Sequence, residues 1–297
     1  MNTVIDIIQR TSSLSPLVDI GINLCHKSYE NDFDAVLQRA ANAGIEHLII
    51  TSSDEASIQL AHSWLDTISP AQQDTARYSE SSAYYPKLWS TAGIHPHHAK
   101  DVTDTTWSII KTALQHSRVC AVGETGLDFY RDFSPRAIQE KVFERHIEIA
   151  IEYKKPLFLH QREAHDRFLP ILKSARDLLV GAVVHCFTDN IRALHDYLDL
   201  DVYIGITGWF CDPIRGKHLQ NLVRDIPANR LLIETDGPYL WPKDLITEDK
   251  NSRYRNEPAT LSHIARKIAE ARGESPESLA LQTTKNATEL FFSKSKN

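Results

Sequence analysis

Apolar positions along this chain fall into two alternating rhythms. Short β-rich runs occur at 16–23 (PLVDIGIN), 47–51 (HLIIT), 88–95 (LWSTAGIH), 119–126 (VCAVGETG), 156–160 (PLFLH), 182–187 (AVVHCF), 202–208 (VYIGITG) and 231–236 (LLIETD). Helix-length amphipathic segments lie between them. DFDAVLQRAANAGI carries apolar residues at helical spacing and then Gly44 as a stop. SPRAIQEKVFERHIEIAIEY opens with Ser134 as N-cap and Pro135 in the first turn. NEPATLSHIARKIAEARG runs from Asn256 to a terminating Gly273.

Eight strand–helix units in a chain of this length predict a (β/α)8 TIM barrel in the α/β class. A doubly wound open sheet is the alternative. It is disfavoured because no Gly-rich phosphate turn follows the first strand. The chain reads as a single domain over 1–297, with flexible ends at 1–15 and 293–297. A polar loop insertion at 68–87 and a long loop at 239–258 break the alternation.

Composition narrows the class. Of 297 residues, 42% are hydrophobic and 24% charged, the balance of a globular protein with a sizeable core. No apolar run approaches the length of a membrane span, and the first residues lack the pattern of a secretory signal. The four cysteines, Cys25, Cys120, Cys186 and Cys211, form no C-x-x-C pair and read as core thiols. A cytoplasmic, monomeric protein without a membrane partner is expected. A formal charge of −6 argues against a protein that coats nucleic acid by bulk electrostatics. It leaves room for an enzyme that meets a phosphate chain briefly through bound cations.

In a barrel of this kind the active site gathers at the C-terminal ends of the strands. The third run ends in His95, with His97 and His98 just beyond. The fourth carries Glu124 and Asp128, the fifth His160 and Arg162, the sixth His185, and the eighth Glu234 and Asp236. A lone histidine at a strand end is readily a capping or core residue. Glu124, His160, His185 and Asp236 together, from four strands, point to a divalent metal site. Glu124, His160 and His185 would hold the ion. Asp236 would be a further ligand or the base that orients water, making Glu124 and Asp236 the catalytic carboxylates.

His95 is expected to contact substrate phosphate. His97 and His98 read as solvated loop residues, and Asp128 as a loop anchor or a functional carboxylate. Glu234 faces the same side as Asp236 and would act as its supporting partner. Arg131, Arg162 and Arg255 offer guanidinium forks for phosphate, with Arg162 and Arg255 the better placed. Arg255 precedes a predicted helix start, where free backbone N–H groups favour anions. Phe129, Tyr130, Trp209 and Tyr239 are candidates for base stacking.

The motifs STAGIHPH, AVGETGLDF, FLHQREAH, VVHCFT, YIGITGW, LLIETDGPYL and YRNEP, in this order, resemble the TatD family of metal-dependent deoxyribonucleases. The resemblance implies the metal-dependent hydrolase type of barrel. It also implies hydrolysis of DNA, as a 3′–5′ exonuclease on single strands with some action on RNA, in DNA repair or turnover. Mg²⁺ would be the cofactor, with Zn²⁺ or Mn²⁺ as alternatives. Matching positions give the metal role to Glu124, His160, His185 and Asp236, and a phosphate-side role to His95. Most family members open with His-x-His on the first strand; here Gly21 and Asn23 stand at those positions. One firm metal site and a weaker second one are therefore expected. A metal-dependent amidase or lactonase on the same barrel is the competing reading, and a non-catalytic scaffold the third.

Overall fold

A computed structural model describes residue 14 and residues 16–68, 85–245 and 255–293. The strands are β1 (Leu17–Ile22), β2 (Ile45–Ile50), β3 (Lys87–Ala92), β4 (Val119–Asp128), β5 (Leu157–Arg162), β6 (Ala182–Val184), β7 (Tyr203–Ile206) and β8 (Leu231–Ile233). They pair in sequence order, each parallel to the next. The sheet closes where β1 meets the chain after β8. There Asp236 N–H donates to Gly21 O at 2.8 Å and Asn23 N–H to Gly237 O at 2.8 Å. The Asp19 carboxylate adds to this seam, accepting the N–H of Thr235 at 2.9 Å and its hydroxyl at 2.5 Å. The result is the expected eight-stranded barrel.

The helices are α1 (Phe33–Asn42), α2 (Glu55–Thr67), α3 (Asp104–Ala113), α4 (Arg136–Tyr153), α5 (His165–Ala175), α6 (Ile191–Asp199), α7 (Lys217–Leu222), α8 (Leu261–Arg272) and α9 (Pro276–Ala287). Their buried faces, such as Val36, Leu37 and Ala40 of α1, pack on strand residues such as Ile45 and Leu48 in one large apolar cluster. A smaller cluster joins Phe158, Val183 and Leu232 to Ala287 and Phe291 near the end of the chain. Gly273 ends α8 with φ 72°, the left-handed C-cap that glycine adopts without strain.

The expected strand bounds hold to within about three residues. β4 and β5 run further than predicted, so Asp128 and Arg162 are strand residues. β6 and β8 stop earlier, leaving His185 and Asp236 just past the last ladder pair. Two helix starts need correction. Pro135, not Ser134, is the N-cap of α4. The Ser134 hydroxyl instead donates to His97 O at 2.9 Å. The segment after Asn256 forms a 3-10 turn at Pro258–Thr260 before α8 begins at Leu261, which separates Arg255 from the helix start. The flexible ends expected at 1–15 and 293–297, and the insertion at 68–87, fall mostly outside the described residues; Leu14 is buried, and Ile68 is the C-cap of α2. Among the described residues no helix is long and apolar enough to cross a membrane.

Candidate metal centre

At the C-terminal mouth of the barrel one carboxylate oxygen is the meeting point. Glu124 Oε1, on β4, lies 2.7 Å from His185 Nε2, 3.1 Å from His160 Nδ1 and 3.5 Å from His95 Nε2. His95, Glu124 and His160 offer donor atoms that all lie within 4.8 Å of one another, a spacing that can hold a metal ion. Glu124 and His185 are almost wholly buried.

The far side of each imidazole separates the roles. His160 turns its Nε2 to Asp128 Oδ2 at 3.3 Å. His185 turns its Nδ1 to Glu234 Oε2 at 3.4 Å. A carboxylate behind the ring holds the outer N–H, so that an ion replacing the inner proton would meet a lone pair there, the usual arrangement for a metal-ligating histidine. In the structure the inner nitrogens donate to Glu124 Oε1 instead. His95 differs. Its Nδ1 accepts the N–H of His97 at 3.1 Å, so the neutral ring carries its proton on Nε2. That nitrogen lies 3.3 Å from His160 Nδ1 and 3.5 Å from Glu124 Oε1. In this tautomer it offers an N–H to the centre, and the group of His95, Glu124 and His160 can hold an ion through His95 only if that proton leaves. Burial, the largest influence, holds His95 well below the usual imidazole range. The ring therefore stays neutral and keeps this tautomer.

The charges of the centre are coupled. Burial alone would push Glu124 up, but His185, His95 and His160 together hold it well below the usual carboxylate range. Burial opposes the charged form of His185 as well, yet Glu124 and Glu234 raise it well above normal. The imidazolium charge of His185 balances the carboxylates of Glu124 and Glu234, a balance that a bound cation could equally supply.

Asp236 closes the centre from the β8 side. Its Oδ1 accepts from Asn23 Nδ2 at 2.8 Å. Burial first, then Glu124 and Glu234, push its carboxyl up to about 7, against the pull of His185. Gly21 faces Glu234: a Cβ there would collide with Glu234 Oε2 and come 3.2 Å from Phe158 Cζ. Glu234 also accepts the N–H of Cys186 at 2.6 Å through Oε1. At the positions of the His-x-His pair there are thus a carboxylate from just past β8, in the space beside Gly21, and the amide of Asn23 that holds Asp236.

Two residues do more here than the sequence disclosed. Asp128 joins both of its expected roles. Its Oδ1 accepts the N–H groups of Tyr130 and Arg131, while Oδ2 meets His160 and, at 2.8 Å, His97 Nε2. His97 is therefore not a solvated loop residue. No spacing in the chain marks that contact, because it joins the turn after β3 to the end of β4. Cys186 and Cys25 are only partly buried, unlike the core thiols Cys120 and Cys211.

The arginines separate in the same way. Arg162 stacks over the Tyr130 ring with its guanidinium carbon 4.0 Å from the centroid, and the ring is 51% exposed. Arg255 is engaged elsewhere, paired with Asp32 at 2.7 and 2.8 Å and lying over Tyr29.

The family model described as TatD related DNase matches residues 18–292. The chain belongs to the TatD-related DNase family. It is 42% identical over 275 residues to the 3′-5′ ssDNA/RNA exonuclease TatD of Citrobacter rodentium, covering 93% of this chain and 97% of that one. The protein of the same name from Salmonella typhimurium is also 42% identical, with 93% and 98% covered. A TatD homolog from Escherichia coli superposes with a TM-score of 0.80 at 23% identity, over 95% of this chain and 100% of that chain. A TatD family hydrolase from Entamoeba histolytica gives 0.79 at 26% identity, over 95% and 99%. Membership of the TatD-related family agrees with the barrel fold, and together with the candidate ligand group it supports a divalent metal cofactor.

Proposed function

We propose that the chain is a Mg²⁺-dependent nuclease that removes nucleotides from the 3′ end of single-stranded DNA or RNA. The observation that carries this reading is the convergence of His185, His160 and His95 on Glu124 Oε1, at 2.7, 3.1 and 3.5 Å. Two of these histidines are backed by carboxylates, so each would turn a lone pair to an ion that replaced its inner proton, while the third turns an N–H to the centre. His160, His185 and Glu124 form a mixed oxygen and nitrogen donor set that fits a divalent hydrolytic ion.

A bound ion of this kind supplies Lewis-acid stabilisation of phosphate charge and lowers the pKa of water. The chain's own groups do the rest. His95 donates from Nε2 to a non-bridging phosphate oxygen. Asp236, with Oδ1 held by Asn23, keeps Oδ2 for the proton of the attacking water. Burial, the largest influence, raises this carboxyl above the usual carboxylate range, which suits a group that takes up a proton. Arg162 meets the backbone, and the Tyr130 ring beside it offers a face for a base. Arg255 holds the loop through Asp32 and takes no part in substrate contact.

The names of the close relatives support the strand polarity and the single-stranded substrate. The arginine–tyrosine platform favours a nucleic acid over the amide or lactone substrates considered from sequence. A gel assay on 3′- and 5′-labelled single strands tests the polarity. Loss of label first from the 3′ end is expected, and loss first from the 5′ end contradicts it.

A further inference from the structure

A second group of mixed ligands, sharing no residue with the catalytic centre, lies among Cys211, Asp244 and His263. Cys211 ends the 3-10 turn Gly208–Cys211 that follows β7. Asp244 lies in the loop after β8, and His263 sits in the first turn of α8. One donor atom from each lies within 4.8 Å of the others. His263 Nε2 is 2.9 Å from Asp244 Oδ1.

We propose that Cys211, Asp244 and His263 bind a zinc ion that clips these three segments together. Ligands placed at Zn–S and Zn–N/O bond lengths around one tetrahedral ion lie roughly 3–4 Å apart, so small side-chain rotations suffice to close the site. The thiol selects zinc over magnesium, because soft sulfur is a poor ligand for a hard ion. Cys211 is 3% exposed and lies on the inner side. The Asp244 and His263 side chains are partly open, so water can take the fourth position from outside.

The backbone is already held in place. Asp212, next to Cys211, pairs with Lys243, next to Asp244, at 2.8 Å. Asp212 also accepts the N–H groups of Ile214 and Arg215, which fixes the turn that carries Cys211. One competitor stands close: Lys267 Nζ is 3.9 Å from Asp244 Oδ2. It also pairs with Glu270 at 2.8 Å, so it keeps a partner when Asp244 turns to an ion. The loop pinned in this way begins at Asp236 and carries Tyr239 at the barrel mouth. Zinc here would steady the catalytic rim without entering the reaction.

The test is a Co²⁺ titration of the full-length protein after metal removal. Binding should give a near-ultraviolet sulfur-to-cobalt charge-transfer band. Cys211→Ser should abolish it. Cys186→Ser, which removes the thiol beside the catalytic His185, should retain it, as should Glu124→Ala. Equilibrium dialysis against Zn²⁺ should find Cys211→Ser one equivalent short of the parent protein. Absence of the band in the parent, its loss in Cys186→Ser, or its survival in Cys211→Ser overturns the proposal. If Cys211→Ser does not fold, the parent titration and the Cys186→Ser control still decide it.

Discussion

Gly21 leaves the space that Glu234 fills. The carboxylate of Glu234 lies where a side chain on residue 21 would begin, and from there it reaches both His185 Nδ1 and the N–H of Cys186. Gly21→Ala should therefore displace Glu234 and turn the His185 ring. Overpacking of a tight site destabilises by about 1–3 kcal/mol. Nuclease activity should fall at least as far as for other losses of a ligand's supporting partner, about 10- to 100-fold. Thermal melts and initial rates check both. A variant as stable and active as the parent would show that the contact is not needed.

Asp128 ties the metal centre to the substrate platform, touching His160 with one oxygen and the Tyr130 and Arg131 N–H groups with the other. Asp128→Asn should weaken metal affinity about 10- to 100-fold, as removal of such outer partners does. Calorimetric titration with Mn²⁺ measures it.

The Tyr130 ring is open to solvent and has Arg162 over its face. Stacking of one base on an aromatic ring contributes about 1–3 kcal/mol. Tyr130→Ala should therefore raise KM for a single-stranded oligonucleotide about tenfold or more, with kcat nearly unchanged. A fall confined to kcat would place Tyr130 outside the binding path.

The carboxyl of Asp19 is fully buried at the barrel seam. Burial pushes it up to about 8, despite the hydrogen bonds from Thr235 and Gly21 that favour its charged form. An unfolded aspartate loses its proton near 3.8. Between these values the folded state binds the extra proton, so this residue's contribution to stability falls as pH rises from about 4 to about 8 and is level beyond. An asparagine fits the same pattern: its carbonyl accepts the two N–H groups and its amide donates to the Thr235 hydroxyl. Relative to the parent, Asp19→Asn should gain at least about 1 kcal/mol between pH 5 and pH 8, the equivalent of one pKa unit. Urea unfolding in EDTA at both pH values tests this; a constant difference refutes it.

The barrel was readable because each strand is a short apolar run and each helix shows its own period, both local signals. That Glu124, His160 and His185 meet at the barrel mouth was legible for a related reason: each breaks an apolar run at its end. What escaped was pairwise and long-range. The turn after β3 brings His97 onto Asp128, and the loop after β8 brings Asp244 onto His263 and Cys211. Arg255 looked available from its place before Asn256, yet its partner Asp32 lies 223 residues away in sequence. No periodicity carries such pairings. The exchange of Gly21 for space and Glu234 for charge was half visible: the missing histidines could be read on β1, but not what stood in their place.

Glu124, with His160 and His185, is expected to form a metal-dependent phosphodiesterase centre. The most direct measurement is cleavage of a 5′-labelled single-stranded DNA by the parent protein and by Glu124→Gln, each with Mg²⁺ and with excess EDTA. The parent should shorten the strand from its 3′ end only with Mg²⁺. Glu124→Gln should fold normally, because glutamine keeps the shape, and should be slower by at least about 100-fold, having lost the negative charge at the point where the imidazoles meet. Equal cleavage by a folded Glu124→Gln protein, or cleavage by the parent undiminished in EDTA, would rule out a metal-dependent centre built on Glu124.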